Sequence, residues 1–197
     1  EFRIKRPDGD IRHLYAAQRV TVNAEGEVRR VVGVNLDITK RKAAEKELKE
    51  ITGYNRMLFE SSPIGLAWAD MQGTLVDVNP AYLKIIGYTE FEYKNLSYWD
   101  LTPREYEPQD QLQLQALQST GRYGPYEKEY IHKDGHLVNV LLNGLLVELR
   151  DETYIWSSVE DITERKKMEQ ALAARSEQLQ NILDNSPVAS AISVDGV

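Results

Sequence analysis

His132-Lys-Asp-Gly-His-Leu-Val-Asn-Val140 begins as a tight turn at Asp134-Gly135 and continues as β-favouring residues. The run closes at Asp161-Ile-Thr163. An earlier copy opens at Arg6-Pro-Asp-Gly9 and closes at Asp37-Ile-Thr39, and a charged helical segment follows each copy, ending at Ser62-Pro63 and Ser186-Pro187. Asp37 and Asp161 are 124 residues apart, as are Ser62 and Ser186, whereas Asp8 and Asp134 are 126 apart. The two-residue difference therefore falls in the connection between the first pair of strands. A fixed period of this kind predicts a tandem array of one domain type. The expected layout is the closing strands of one unit at 1–40, a helical linker at 41–62 and a whole unit at 63–163. A second linker follows at 164–185, and the first strand of a further unit at 186–197.

Composition narrows the function. With 197 residues, each unit has about one hundred, ordinary for a small domain with one core. The absence of cysteine removes disulfides, thiolate metal sites and cysteine nucleophiles. A net charge of −7 disfavours a nucleic-acid surface, and the short basic clusters Lys40-Arg-Lys42 and Arg165-Lys-Lys167 read as solvated helix faces. No apolar run approaches the roughly 20 residues of a membrane span, so no membrane contact is expected within the chain, and a cytoplasmic location is the expectation.

Within 63–163, Ile64–Asp70 and Thr74–Val78 read as strands around Gln72-Gly73. Asn79 is a good N-cap and Pro80 suits the first helical position of a short helix that Gly87 ends. Thr89–Leu101 reads as short helical turns and Asp110–Thr120 as a longer helix, broken by Gly121 and Gly124-Pro125. Strands Tyr126–His132, Leu137–Leu149 and Thr153–Asp161 follow. Two strands, several small helices and three strands make an α+β domain with an antiparallel sheet and helices on one face.

The ordered set Asn79-Pro-Ala-Tyr82, Gly87-Tyr-Thr89, Lys133-Asp-Gly135 and Asp161-Ile-Thr163 resembles a PAS domain with its C-terminal PAC motif. Phe2–Thr39 looks like the last three strands of a preceding copy, and Ile182–Val197 like the opening of a following one. The resemblance implies a PAS fold: a five-stranded antiparallel sheet cupping a small cavity, flanked by linker helices, with a role in sensing rather than chemistry. The parent would be a multidomain signalling protein of the histidine kinase (two-component) or diguanylate cyclase type, and this chain would be its regulatory, non-enzymatic module. A ligand-free protein–protein interaction module is the alternative reading, and a non-covalent flavin sensor a further one.

By similarity to flavin-binding relatives, the cavity would be lined by Ala67, Ala69, Tyr130, Val138, Val140, Leu142, Ile155, Ser157 and Val159. Tyr82, Ile86, Trp99, Leu114 and Leu117 would close it. Such a lining is mostly apolar with a few hydroxyls; the same residues could instead pack as a filled core. No cofactor is expected: there is no cysteine for a flavin adduct, Tyr130, Val140 and Val159 stand where amides would read a flavin ring, and the long helix has no haem-ligating histidine. An unidentified small molecule remains open. His132 and His136 flank a carboxylate at a hairpin tip, too few ligands for an expected metal, and no catalytic constellation is found.

The linkers carry the expected output. Met168, Leu172, Leu179 and Ile182 recur at steps of four, seven and three, and Ala44, Leu48, Ile51, Asn55 and Leu58 trace the same seam 124 residues earlier. This is a heptad pattern, read as a parallel homodimer seam, against an amphipathic helix packed on its own domain. Asp161, Ile162 and Thr163, like Asp37 and Thr39 before them, join the last strand to the helix as a signal relay, with Thr163 expected as N-cap. Leu66, Trp68, Tyr154 and Trp156 would form the opposite sheet face, covered by a helix or a second subunit. The amino-terminal strands, lacking half a domain, are expected to be poorly ordered or to pair with another chain.

Overall fold

The structure, a computed structural model, describes residues 1–184, so the expected strand at 188–194 lies outside the described residues. Two compact units divide the chain, Glu1–Leu58 and Phe59–Val197.

In the first unit, β1 (Phe2–Lys5), β2 (Ile11–Val22) and β3 (Val28–Asp37) form an antiparallel sheet in the order β1-β2-β3 and run into α1 (Thr39–Ser61). The strands expected to be poorly ordered or to pair with another chain form a three-stranded sheet within this chain. The two hairpins bond each strand to the next, with Leu14 opposite Phe2 on one side and Asp37 on the other. What the sheet lacks is a covered face: Val20, Val31, Val32, Val34 and Leu36 are exposed, and among the unit's described residues only Ile38 is buried.

The second unit holds β4 (Gly65–Asp70), β5 (Leu75–Val78), α2 (Pro80–Ile86) and α3 (Glu107–Thr120), with 3₁₀ turns at Tyr93–Asn95 and Arg104–Tyr106. Then come β6 (Arg122–Ile131), β7 (Leu137–Leu149), β8 (Glu152–Asp161) and α4 (Thr163–Asp184). The sheet is five-stranded and antiparallel, in the order β5-β4-β8-β7-β6. Period-two alternation sets its faces: Gly65, Ala67 and Ala69 are buried on β4, and Val138, Val140 and Leu142 on β7. Leu66, Trp68, Tyr154 and Trp156 face the other way and are half-buried. Trp68 lies opposite Trp156 in register and meets Tyr154 edge-on at 6.3 Å.

Asn79 ties α2 to the start of the sheet. Fully buried, its side-chain oxygen accepts the N–H groups of Leu66 (2.8 Å) and Tyr82 (2.9 Å), while its amide donates to the carbonyls of Phe59 (3.1 Å) and Ile64 (2.9 Å). Gly87 ends α2 at φ 76.

β6 departs from expectation. Gly124-Pro125 does not precede the strand but lies inside it, at a register shift between Tyr123 and Tyr126. β6 is an edge strand, where proline forfeits no ladder bond. At Gly124 φ is 73, and a Cβ would sit 2.4 Å from the Leu142 carbonyl, so the bulge requires glycine.

The two strand-to-helix junctions share one construction. The Thr163 N–H donates to the Asp161 carboxylate (2.8 Å), the Asn139 N–H to the Thr163 hydroxyl (3.2 Å), and the Ile162 N–H to the Asn139 carbonyl (2.9 Å). In the first unit, Thr39 donates to Asp37 (2.9 Å), His13 to the Thr39 hydroxyl (2.9 Å), and Ile38 to the His13 carbonyl (2.8 Å). Ile38 and Ile162 are 3% and 2% exposed. The expected N-cap role of Thr163 is thereby overturned. The threonine is the first helical residue, its hydroxyl is engaged by the neighbouring strand, and the aspartate accepts the helix's first free N–H.

Candidate ligand cavity

A cavity of about 50 Å³ lies between the concave sheet face and α3. Ala67 and Ala69 of β4 leave the space, since two alanines on adjacent inward positions fill little of it. Leu75, Leu114, Leu142 and Ile155 complete an apolar wall. The remaining wall is polar and comes mainly from β6 and α3: Asp110, Gln113, Tyr123, Tyr126, Lys128 and Tyr130, with Tyr82, Tyr98 and Ser157.

At the centre of the polar wall is a buried ion pair. Lys128 and Asp110 are 4% and 3% exposed, and their Nζ and Oδ2 are 2.6 Å apart. The second carboxylate oxygen accepts the Tyr126 hydroxyl at 2.9 Å. Lys128 also donates to the Thr102 hydroxyl at 2.9 Å, which in turn donates to the Tyr98 carbonyl. The ammonium lies 5.2 Å from the Tyr130 ring centroid, close enough for a cation–π contact. Burial nevertheless outweighs Asp110 and lowers the Lys128 pKa.

Burial also raises the phenol pKa values of Tyr82, Tyr123, Tyr126 and Tyr130, and pushes Tyr98 up to about 12. These phenols therefore keep their protons and act as donors. Tyr123 donates to Ser157 at 2.7 Å, bridging the edge strand to β8 across the sheet. The bulge aims Tyr123 inward, and Gln113 steadies it by accepting the Gly124 N–H at 3.0 Å.

Of the residues expected around the cavity, Ala67, Ala69, Tyr82, Leu114, Tyr130, Leu142, Ile155 and Ser157 line it. Ile86, Leu117, Val138, Val140 and Val159 are buried but lie in the surrounding core. Trp99 does neither: it is half-buried over the Gly73 turn, where a Cβ on the glycine would meet its ring at 3.1 Å. Its neighbour Tyr98 reaches the cavity instead. The expected mostly apolar lining thus gives way to one with a charged pair, because Tyr126 and Lys128 share the inward face with Tyr130.

Outside the cavity, Glu127 sits next to Lys128 on the outward side of β6. It accepts Arg165 of α4 at 2.7 Å and also pairs with Lys166. The polar wall and the first turn of α4 are therefore joined through one strand. The seam residues Leu48, Ile51, Asn55 and Leu58 on α1, and Met168, Leu172, Leu179 and Ile182 on α4, are all exposed. Among the described residues, no helix is long and apolar enough to cross a membrane.

The chain resembles parts of known signalling proteins. "Probable diguanylate cyclase DgcE" of Escherichia coli (strain K12) is 33% identical over 133 residues, covering 66% of this chain and 12% of that protein. "Sensor histidine kinase TmoS" of Ectopseudomonas mendocina is 28% identical over 127 residues, covering 63% and 13%. The chain thus spans only a small part of either relative. Among solved structures, the PAS domain of an HTR-like protein from Haloarcula marismortui superposes with a TM-score of 0.54. It is 30% identical and covers 61% of this chain and 99% of that one. A PAS domain from Colwellia psychrerythraea, 18% identical, shares the fold at a TM-score of 0.53, over 58% of this chain and 98% of that one. The family model described as PAS domain matches residues 62–164, just over half of the chain's length, and on that match this chain belongs to the PAS domain family.

Proposed function

We propose that this chain is the sensory and dimerisation module of a larger histidine kinase or diguanylate cyclase type of signalling protein, without catalytic activity of its own. One observation carries the reading: the lining of the cavity has two mechanical routes to the same helix. Ile155 and Ser157 line the cavity on β8, which continues through Ile162 into α4. Lys128 lines it on β6, where Glu127 holds Arg165 and Lys166. A molecule that repositions Ser157 or the Asp110–Lys128 pair would shift α4 relative to the sheet, a two-state packing change of the kind used in signalling.

The chemistry of the wall suggests the ligand. A volume of about 50 Å³ takes a few water-sized groups, too little for a haem or a flavin ring. The ion pair is already neutral as a unit, so a charged guest would unbalance it. A small uncharged molecule fits, with hydrogen-bonding atoms towards Tyr98, Tyr123 and Gln113 and an apolar body against Ala67, Ala69 and Ile155. Native mass spectrometry and thermal shift with short-chain alcohols, ketones, amides and phenol test this. At least one should bind wild type and be excluded by the cavity-filling Ala69→Leu. Binding by none, with the filled variant as stable as wild type, would favour the ligand-free interaction module.

The repeated junction, the same hydrogen bonds at an offset of 124 residues, supports the tandem reading. The exposed seam on α4 is assigned to a second copy of the chain. Because the chain has no cysteine, Leu172→Cys provides a clean test: oxidation should cross-link parallel partners, and a purely monomeric product would refute the seam.

A further inference from the structure

The hairpin joining β6 to β7 brings three ligand-type groups to one point. His132, Asp134 and His136 each place a nitrogen or oxygen within 4.8 Å of the others. Both imidazoles turn Nδ1 to the same oxygen, Asp134 Oδ1, at 2.9 Å from His132 and 2.5 Å from His136. The rings stack with centroids 4.3 Å apart. His132 Nδ1 also receives the Asp134 backbone N–H at 3.3 Å. In that tautomer Nδ1 carries a lone pair rather than a hydrogen, and a cation facing the carboxylate would take that lone pair from the backbone N–H. Two electron-rich atoms facing each other across 2.9 Å are a natural place for a cation.

The cluster is held in place from beneath. The Nε2–Cε1 edge of His132 rests on Gly87 so closely that a Cβ there would lie 2.2 Å from both atoms. Nδ1 is therefore the nitrogen left to the turn. The backbone is fixed by His132 N–H to the His136 carbonyl (2.9 Å), Gly135 N–H to the His132 carbonyl (2.8 Å) and Lys133 N–H to the Ile86 carbonyl (2.9 Å). The lysine within the turn, Lys133, pairs with Glu92 at 2.6 Å. The turn itself does not require histidines. The hairpin 126 residues earlier makes the first two of these backbone bonds, with Arg6 and Asp10 in the histidines' places.

We propose that His132, Asp134 and His136 form an open zinc site, two imidazole nitrogens and one carboxylate oxygen with a fourth position left to water. This borderline ligand set suits zinc rather than magnesium or calcium, which prefer all-oxygen shells. Tetrahedral zinc holds nitrogen and oxygen ligands about 3.3 Å apart. The two observed contacts need to open by less than an ångström, a movement that the exposed side chains of Asp134 and His136 can make while His132 stays seated on Gly87.

Calorimetric titration of the chain with zinc chloride tests the site, beside His136→Asn and Asp134→Asn, neither of which disturbs the contact with Gly87. His13→Asn, in the other unit, is the control, and unchanged tryptophan fluorescence verifies folding. The expected result is one zinc per chain at micromolar affinity, weakened at least tenfold by either hairpin substitution and unchanged by the control, with no magnesium binding. Absence of zinc binding, equal affinity in wild type and the hairpin variants, or equal binding of magnesium would each overturn the site.

Discussion

Removing one member of the Asp110–Lys128 pair should cost far more than removing both. At 2.6 Å, opposite unit charges attract by about 6 kcal/mol at an effective dielectric constant near 20. Dehydrating each ion costs several kcal/mol, so the intact pair contributes little net stability. Asp110→Leu strands an ammonium with Thr102 and the Tyr126 and Tyr130 rings but no counter-charge, at a cost of about 4 kcal/mol. Lys128→Met costs somewhat less, about 3 kcal/mol, because the Tyr126 hydroxyl still serves Asp110. The double variant should return to within about 1 kcal/mol of wild type, giving a coupling energy of about 6 kcal/mol. Urea unfolding followed by tryptophan fluorescence is the assay, since Trp68, Trp99 and Trp156 all lie in the second unit. With a denaturant slope of about 1.5 kcal/mol per M, each single variant should lose about 2–3 M in midpoint. A double variant no more stable than the weaker single variant would refute the reasoning.

Three further outcomes are expected. Asn79→Ala removes the side-chain acceptor of the Leu66 and Tyr82 N–H groups and one donor from each of the Phe59 and Ile64 carbonyls, and should destabilise the second unit by about 3 kcal/mol or more in the same assay. Gly124→Ala drives a Cβ into the Leu142 carbonyl at positive φ; it should lower the melting temperature by several degrees, and an unchanged value would mean that the bulge can relax. Lys133, with the Thr89 backbone N–H and hydroxyl, holds Glu92 at about 2, below its usual 4.5. A depressed acid contributes fully above its unfolded value and loses that contribution as pH falls. The stability gap between wild type and Glu92→Gln should therefore be constant above about pH 5 and close towards pH 2; a gap that persists in acid would exclude Glu92 ionisation as its source.

Turn and cap chemistry was the most legible part of the sequence. Asn79, Pro80 and Gly87 bound α2 as local rules require, because each acts through its own backbone. Alternation sorted the strand residues into two sets and the family resemblance chose the inward one, but the polar wall was not read, and two causes separate. Tyr126 and Lys128 lie at period two from Tyr130, and Asp110 lies one turn before Leu114 and two before Leu117. The positional signal was present, but a lysine and an aspartate are so rarely buried that composition argued against it. Tyr123 had no such signal. The bulge at Gly124-Pro125 resets the alternation, so a residue that period two sends outward points in. The first three strands were legible from the repeat, and they pair with one another because hairpin bonds form locally, whether or not a core exists to cover them.

The matching junctions at Ile38 and Ile162 have a consequence for engineering. Excising residues 39–162 removes 124 positions and joins Ile38 directly to Thr163. The splice recreates Asp-Ile-Thr, so His13 would meet the hydroxyl of Thr163 as it now meets that of Thr39, and the carboxylate of Asp37 would receive the same N–H. The junction is thus an interchangeable coupling, at which modules can be dropped or swapped without altering how a strand hands over to the rod that follows.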